Sequence, residues 1–273
     1  APQAPKGASE PTGGVGGGGV GFGGGGGVAA SAGQAVRVVR PGQSPRAKSG
    51  SRPAPQLVLA PQSATDLVDL LLSDSMATAT QAALELDKLV HGGGRSSVLS
   101  VPHGVTRTYA LLSRKDAKTT SAALRLLSSL SSEPNGRSVI SSTMAEVDPE
   151  LSLLGEVLAP GAGDSETVQY AALLLANAVL DQEGLHRVLR AQGIMDGLVG
   201  LLWSEDTPTL RYAAGALRNI SAEIDIRNLL SQNPDARDRL SALCKSSDNA
   251  TSRYAATIMR SLQSSSRTPR RQR

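Results

Sequence analysis

A pair of adjacent alanines recurs along this chain, and its spacing constrains the fold more than any other feature. The pairs are Ala82-Ala83, Ala122-Ala123, Ala171-Ala172, Ala213-Ala214 and Ala255-Ala256, separated by 40, 49, 42 and 42 residues. Around them the chain reads "TQAALELDKLV", "TSAALRLLSSL", "QYAALLLANAV", "RYAAGALRNIS" and "RYAATIMRSLQ". Each copy sets small or apolar residues at helical spacing with polar residues between, the pattern of one helix with a narrow buried stripe. A helix restated at this interval predicts a stack of similar units rather than a single closed core.

The intervals repeat as well. Ahead of the later copies lies a second apolar-periodic segment: "GVTRTYALLSRKD", "DPELSLLGEVLAP", "GIMDGLVGLLWSED" and "PDARDRLSALCKSSD". Before those comes a shorter one, "RSSVLSV", "GRSVISS", "EGLHRVLRAQG" and "EIDIRNLLSQ". Gly193 and Pro234 separate short from longer segment, as a helix stop and a helix start do. The unit is thus short helix, helix, helix in about 42 residues, and the 49-residue interval contains a loop insertion, "APGAGDSE" (Ala159–Glu166). The first unit lacks a convincing short helix, so about four and a half units are expected, over residues 56–263.

Composition divides the chain in the same way. Residues 1–55 hold the run "GGVGGGGVGFGGGGG" (Gly13–Gly27), where 12 of 15 residues are Gly. Such a window has too little apolar surface to offset the entropy of ordering glycine, so a disordered segment is expected there. A basic flexible tail, "SSSRTPRRQR" over 264–273, is expected at the other end. The two ends carry +5 and +4 against a total of +4, so the helical middle is near −5 and the pI of 9.5 describes the ends. That balance gives no basic folded domain to grip nucleic acid. One cysteine, Cys244, allows no internal disulfide and points to a reducing compartment. No run reaches the roughly 18 apolar residues of a membrane span. The amino-terminal segment is also compatible with an organelle transit peptide, and the Ala start leaves room for a processed or partial chain.

A three-helix unit of this period resembles the armadillo repeat, over about 56–263 and most closely from Glu166 to Gln263. The resemblance implies an all-α, right-handed solenoid whose third helices line a concave groove. Stacked units bury one another's stripes, which explains why aromatics can be as scarce as 2%. In peptide-binding members an Asn of the third helix clamps the backbone of an extended peptide, its amide offering donor and acceptor together. The matching positions here are Lys88, Ser128, Asn177, Asn219 and Ser261. Members that carry nuclear cargo place Trp one turn earlier; here that position holds Leu84, Leu124, Leu173, Gly215 and Thr257, so a classical basic nuclear signal is not the expected cargo.

The expected groove residues are therefore Asn177, Asn219 and Ser261, with Arg211, Arg218 and Arg253 supplying charge. Each has a plainer reading. The asparagines could bond a neighbouring loop, and Arg211, Arg253 and the aligned Tyr170, Tyr212 and Tyr254 could cover the junctions between units. Trp203 is expected in core or edge packing and Cys244 in the core. The three histidines, His91, His103 and His186, lack metal-ligand spacing, and the glycine run has no strand before it to make a phosphate loop. No catalytic residue, metal or cofactor is expected. The leading expectation is a non-enzymatic adaptor that binds a protein or peptide partner, with no small-molecule substrate. Beside it stand a structural subunit of an axonemal, cytoskeletal or organellar assembly, and an armadillo fragment of a larger protein such as a ubiquitin ligase. The expected location is cytoplasm or nucleus, with cilium or cytoskeleton as the alternative.

Overall fold

The structure, a computed structural model, describes residues 63–265. The segment expected to be disordered, 1–55, and most of the basic tail lie outside the described residues. Among those residues every regular element is helical. The first unit contributes α1 (Ala64–Leu70) and α2 (Met76–Leu89); the second α3 (Arg95–Leu99), α4 (Gly104–Ala110) and α5 (Ala117–Leu130). The third contributes α6 (Pro134–Val147), α7 (Ser152–Leu158) and α8 (Ser165–Ala178); the fourth α9 (Gln182–Arg190), α10 (Ile194–Gly200) and α11 (Thr207–Ile220). The fifth has α12 (Ile224–Gln232), α13 (Pro234–Leu243) and α14 (Asn249–Ser265). The third helices stack in chain order, α2 on α5, α5 on α8, α8 on α11 and α11 on α14.

Each third helix starts on a repeated cap. Asp116, Asp164, Asp206 and Asp248 accept the backbone N–H of Thr119, Thr167, Thr209 and Thr251 at 2.8, 2.7, 2.9 and 2.9 Å, and Ser75 does the same for Thr78 at 3.3 Å. Three of these threonines also donate their hydroxyl to the capping carboxylate, at 2.6, 2.6 and 2.7 Å. An acceptor at this position satisfies N–H groups that no earlier turn can reach, and a carboxylate adds a favourable charge at the positive end of the helix.

The passage from first to second helix needs a left-handed residue. Gly193 supplies it without a side-chain penalty at φ 78°. At the same place in the two preceding units stand His103 (φ 59°) and Leu151 (φ 53°). Leu151 is held there by its side chain, which is fully buried. Pro234 opens α13 at the first helical position, where its missing N–H costs nothing.

Packing follows the alanine seam. Ala82, Ala83, Ala123, Ala171, Ala172, Ala213, Ala214 and Ala255 are completely buried, and Leu86, Leu126, Leu174, Leu175 and Leu217 fill the layers beside them. Only a methyl group separates neighbouring third helices along this seam, so there is no room for larger side chains. Glycine is required at close approaches early in two first helices. A Cβ on Gly136 of α6 would clash with the Leu130 carbonyl, and one on Gly184 of α9 with the Ala178 carbonyl and the Ser141 hydroxyl.

The units are joined by polar bonds that reach one repeat away, as in a quasi-one-dimensional stack. Tyr109 donates to buried Asp148 at 2.9 Å, and that carboxylate also accepts from Ser152 and Leu153 at the start of α7. Burial, with the Asp148 carboxylate beside it, pushes the Tyr109 hydroxyl far up from the usual tyrosine range. Arg187 Nη1 donates to the Pro149 carbonyl at 3.2 Å, and Arg239 Nε to the Leu202 carbonyl at 2.8 Å. Arg211 holds Asp248 with two bonds, Nε to Oδ2 at 3.1 Å and Nη2 to Oδ1 at 2.6 Å.

Two sequence expectations need correction, and one is narrowed. α6 is fourteen residues long, not a short helix over Gly136–Ser142, because it begins at Pro134 and runs on to bury Thr143 and Met144. Of core or edge packing for Trp203, the edge is what is found, with the ring 47% exposed where its second helix ends. Cys244 is only half-buried, at the edge of the core where α13 ends.

Two outcomes follow. Gly184→Val lowers stability by about 2 kcal/mol in chemical denaturation, whereas Gly200→Ala, with nothing within 4 Å of the added carbon, leaves it unchanged or slightly raised. Arg211, then Thr251, hold the Asp248 carboxyl well below the usual carboxylate range. A depressed folded value makes this contribution fully present above the ordinary pKa of about 4, and it is lost as pH falls through the folded value. Asp248→Asn keeps a capping oxygen but removes the charge. It is expected to cost about 1 kcal/mol at neutral pH and to weaken the loss of stability in acid; an acid dependence identical to the parent's would refute this account of the pair.

Candidate protein-binding surface

The third helices set the six expected site residues in two rows. Asn177, Asn219 and Ser261 occupy equivalent positions near the ends of α8, α11 and α14, with Arg218 beside Asn219. Arg211 and Arg253 lie seven or eight residues earlier on their helices, about 10 Å away along the axis.

The first row faces backward into the stack. Asn177 is 6% exposed, and its Nδ2 donates to Ser131 Oγ at 3.0 Å and to the Ser128 carbonyl at 3.4 Å. Asn219 Nδ2 donates to the Ala176 carbonyl at 2.9 Å, while its Oδ1 accepts from Arg218 Nη1 at 2.7 Å. Ser261 accepts from Ser221 Oγ at 3.4 Å and donates to the Thr257 carbonyl at 3.2 Å. The two asparagines thus help to satisfy the end of the preceding third helix, where the last carbonyls lack intrahelical donors, whereas Ser261 donates within its own helix. The plainer reading of the asparagines, a bond to a neighbouring segment, describes what their N–H groups do. Asn219 is only half-buried, with one amide N–H left over.

The second row is a junction at one position and open at the next. Arg211 is committed to Asp248, so the reading of this row as a cover between units applies to it. Arg253, one unit on, is exposed and has no partner among the described residues. Tyr170, Tyr212 and Tyr254 are half-buried beside these arginines, and the Tyr254 ring lies against Gly215 of the preceding third helix. Of the positions that match Trp in nuclear-cargo carriers, two are closed, with Leu124 fully buried and Gly215 under Tyr254, while Leu84, Leu173 and Thr257 are partly exposed.

One polar cluster escaped the sequence reading. At the α2–α5 junction Asp87 is 1% exposed and accepts from Arg125 Nε at 2.7 Å and Ser129 Oγ at 2.6 Å. Exposed His91 adds a 3.4 Å contact from the other side. The aligned copies place Leu127, Ala176, Arg218 and Arg260 where Asp87 stands, so no periodic signal marked it.

The electrostatics of the third helices differ from those of the body. Residues 63–265 carry 18 Lys or Arg against 23 Asp or Glu, a net −5. Yet α5, α8, α11 and α14 together contain Lys118, Arg125, Arg211, Arg218, Arg253 and Arg260 against one acid, Glu166, in the first turn of α8. Arg260 bonds only within its own helix, to the Ala256 carbonyl and Thr257 Oγ1.

Two surface clefts lie away from these rows. One of about 420 Å³ sits under the inserted loop, lined by Leu112, Lys115, Leu153, Val157, Asp164 and Thr167. Another, of about 670 Å³, is lined by Pro149, Glu183, His186, Arg187 and Arg190. Among the described residues there is no group of three or more His, Cys, Asp or Glu placed to hold a metal ion, and no helix is long and apolar enough to cross a membrane.

Comparison with known proteins places this arrangement. Residues 187–222, from α9 through α11, match the armadillo/beta-catenin-like repeat family. No curated protein matches the sequence significantly. Among solved structures, a designed armadillo repeat protein superposes with a TM-score of 0.63 at 18% identity, covering 72% of this chain and 81% of that one. Another, in complex with the peptide (KR)4, gives 0.60 at 17% identity over the same shares. An engineered protein gives 0.58 at 22% identity, covering 74% of this chain and 98% of its own. The matched repeat, the three-helix unit and the stacking order agree: residues 187–222 match an armadillo repeat, and the described residues share the fold of the armadillo solenoids.

Proposed function

We propose that this chain is a non-catalytic adaptor that holds an extended, acidic segment of a protein partner along its third helices. The observation that carries the reading is the charge of those helices: past the first turn of α8, the bodies of α5, α8, α11 and α14 hold no carboxylate. An acidic strand meets Arg218, Arg253 and Arg260 there, while a basic one meets like charge. A solved neighbour of the same fold is in complex with the peptide (KR)4, which supports a peptide as the partner. The cargo sign is reversed here by the residues on the face. Asn219 contributes its uncommitted amide N–H to a partner carbonyl. Asn177, whose donors are engaged, contributes only its carbonyl oxygen. Ser261 continues the row. Arg211 acts indirectly, by fixing the start of α14.

The first test is fluorescence anisotropy with labelled (DE)4 and (KR)4 peptides on the full chain. (DE)4 is expected to bind about tenfold or more tightly than (KR)4, with an affinity that falls as salt rises, and Arg218→Glu/Arg260→Glu to reverse the order. Equal binding of both peptides to the parent chain would remove the acidic preference. The second is recovery of native partners on immobilised protein, where Asn177→Ala/Asn219→Ala is expected to reduce recovery; undiminished recovery excludes the backbone clamp.

A further inference from the structure

The longest interval between alanine pairs, 49 residues, carries the inserted loop, and the cleft of about 420 Å³ lies under that loop. The loop is seated closely: a Cβ on Gly163 would lie 3.0 Å from Val168 Cγ2 and 3.3 Å from the Val157 carbonyl oxygen. Leu112 of the second unit, with Leu153 and Val157 of α7, gives the cleft an apolar wall. The repeated cap changes at the same place. Thr119, Thr209 and Thr251 each donate their hydroxyl to the capping aspartate, whereas Thr167 gives Asp164 only its N–H. Thr167 lines the cleft and is 3% exposed, and its hydroxyl is buried without a partner among the described residues. Thr120 of α5 also lines the cleft; it is 6% exposed, and its hydroxyl makes no hydrogen bond among the described residues. Buried hydroxyls are normally paired, so two left over in the wall of one cleft mark a place for a ligand's polar group.

We propose that this cleft binds an uncharged hydroxyl group on a compact apolar body, the chemistry of a phenol, with Thr167 and Thr120 as its hydrogen-bonding partners. The charges of the lining select against the alternatives. Glu156 and Asp164 repel a carboxylate, and the helix N-termini that would otherwise favour one are already capped by Asp116 and Asp164. Lys115 and the positive starts of α5 and α8 disfavour an ammonium group. A hydroxyl both donates and accepts, so one such group answers two threonines that can themselves do either. A ring covers the wall of Leu112, Leu153 and Val157 at little conformational cost. The same chemistry is carried by a tyrosine side chain of a partner and by a free small phenol. The cleft lies away from the rows on the third helices and does not depend on the acidic-segment reading.

The test titrates the full, isotope-labelled chain with p-cresol and with toluene and follows the amide chemical shifts. Saturable shifts are expected at the residues that line the cleft. p-Cresol should bind on the order of tenfold more tightly than toluene, because only it answers the hydroxyls. Thr167→Val keeps the side-chain size and the backbone cap, and should bring p-cresol down to the level of toluene. Val157→Trp fills the cleft from its half-buried wall and should abolish binding of both. N-acetyltyrosinamide separates the two sources. Binding like that of p-cresol assigns the cleft to a partner's tyrosine, and its exclusion while p-cresol binds assigns it to a free phenol; either result supports the hydroxyl chemistry. Toluene matching p-cresol on the parent chain, benzoate or benzylamine binding more tightly than p-cresol, or no saturable shift at the cleft would each overturn the proposal.

Discussion

Everything in this molecule depends on helices approaching closely enough that only a methyl group fits between them. The paired alanines of α2, α5, α8 and α11, and Ala255 of α14, have almost no exposed surface, and a larger side chain on that seam would part the layers. No unit could bury this stripe alone, because its partner is always the same stripe one repeat away. The thinness of the layers also explains the scarcity of aromatic residues: Leu, Ala, Val and Ile fill narrow slots that a ring would overfill.

Polar residues fix the register that the alanines leave open. Apolar contact is non-directional, so a smooth alanine seam tolerates small slides along the helix axis. The bonds from Asn177 and Asn219 to the ends of the preceding third helices, and the two-point grip of Arg211 on Asp248, each permit one register. The Arg211 pair couples a helix start to its neighbour, since Asp248 also caps α14 through Thr251. Residues that resembled a binding ladder thus work first for the stack, and only the groups they leave uncommitted face outward.

Charge segregation gives the molecule its direction. The body is acidic while the third helices from α5 onward are cationic, the charge pattern on which the proposed acidic partner rests; a designed protein of the same fold is in complex with a basic peptide. Fold similarity and cargo are separate matters: the backbone sets where a partner can lie, and the charges on the third helices set which partner that is.

Much of this was legible in the sequence. The 40, 49, 42 and 42 residue spacings of the alanine pairs determined the unit, its three helices and the loop at 159–164, because a buried stripe must recur wherever a layer recurs. The aspartate-to-threonine caps were equally periodic and could have dated each helix start to the residue. What repeated could be read. What did not repeat was decided only by the tertiary structure. Leu151 takes a backbone shape normally left to glycine because its buried side chain holds it there. Asp87 is buried because Arg125 and Ser129 come from the next layer to meet it, and Trp203 is left half in solvent because its helix ends at the edge. The partner of Arg211 also lay beyond the sequence: Arg211 and Arg253 stand in nearly identical words, and only the structure brings Asp248 of the next unit to Arg211.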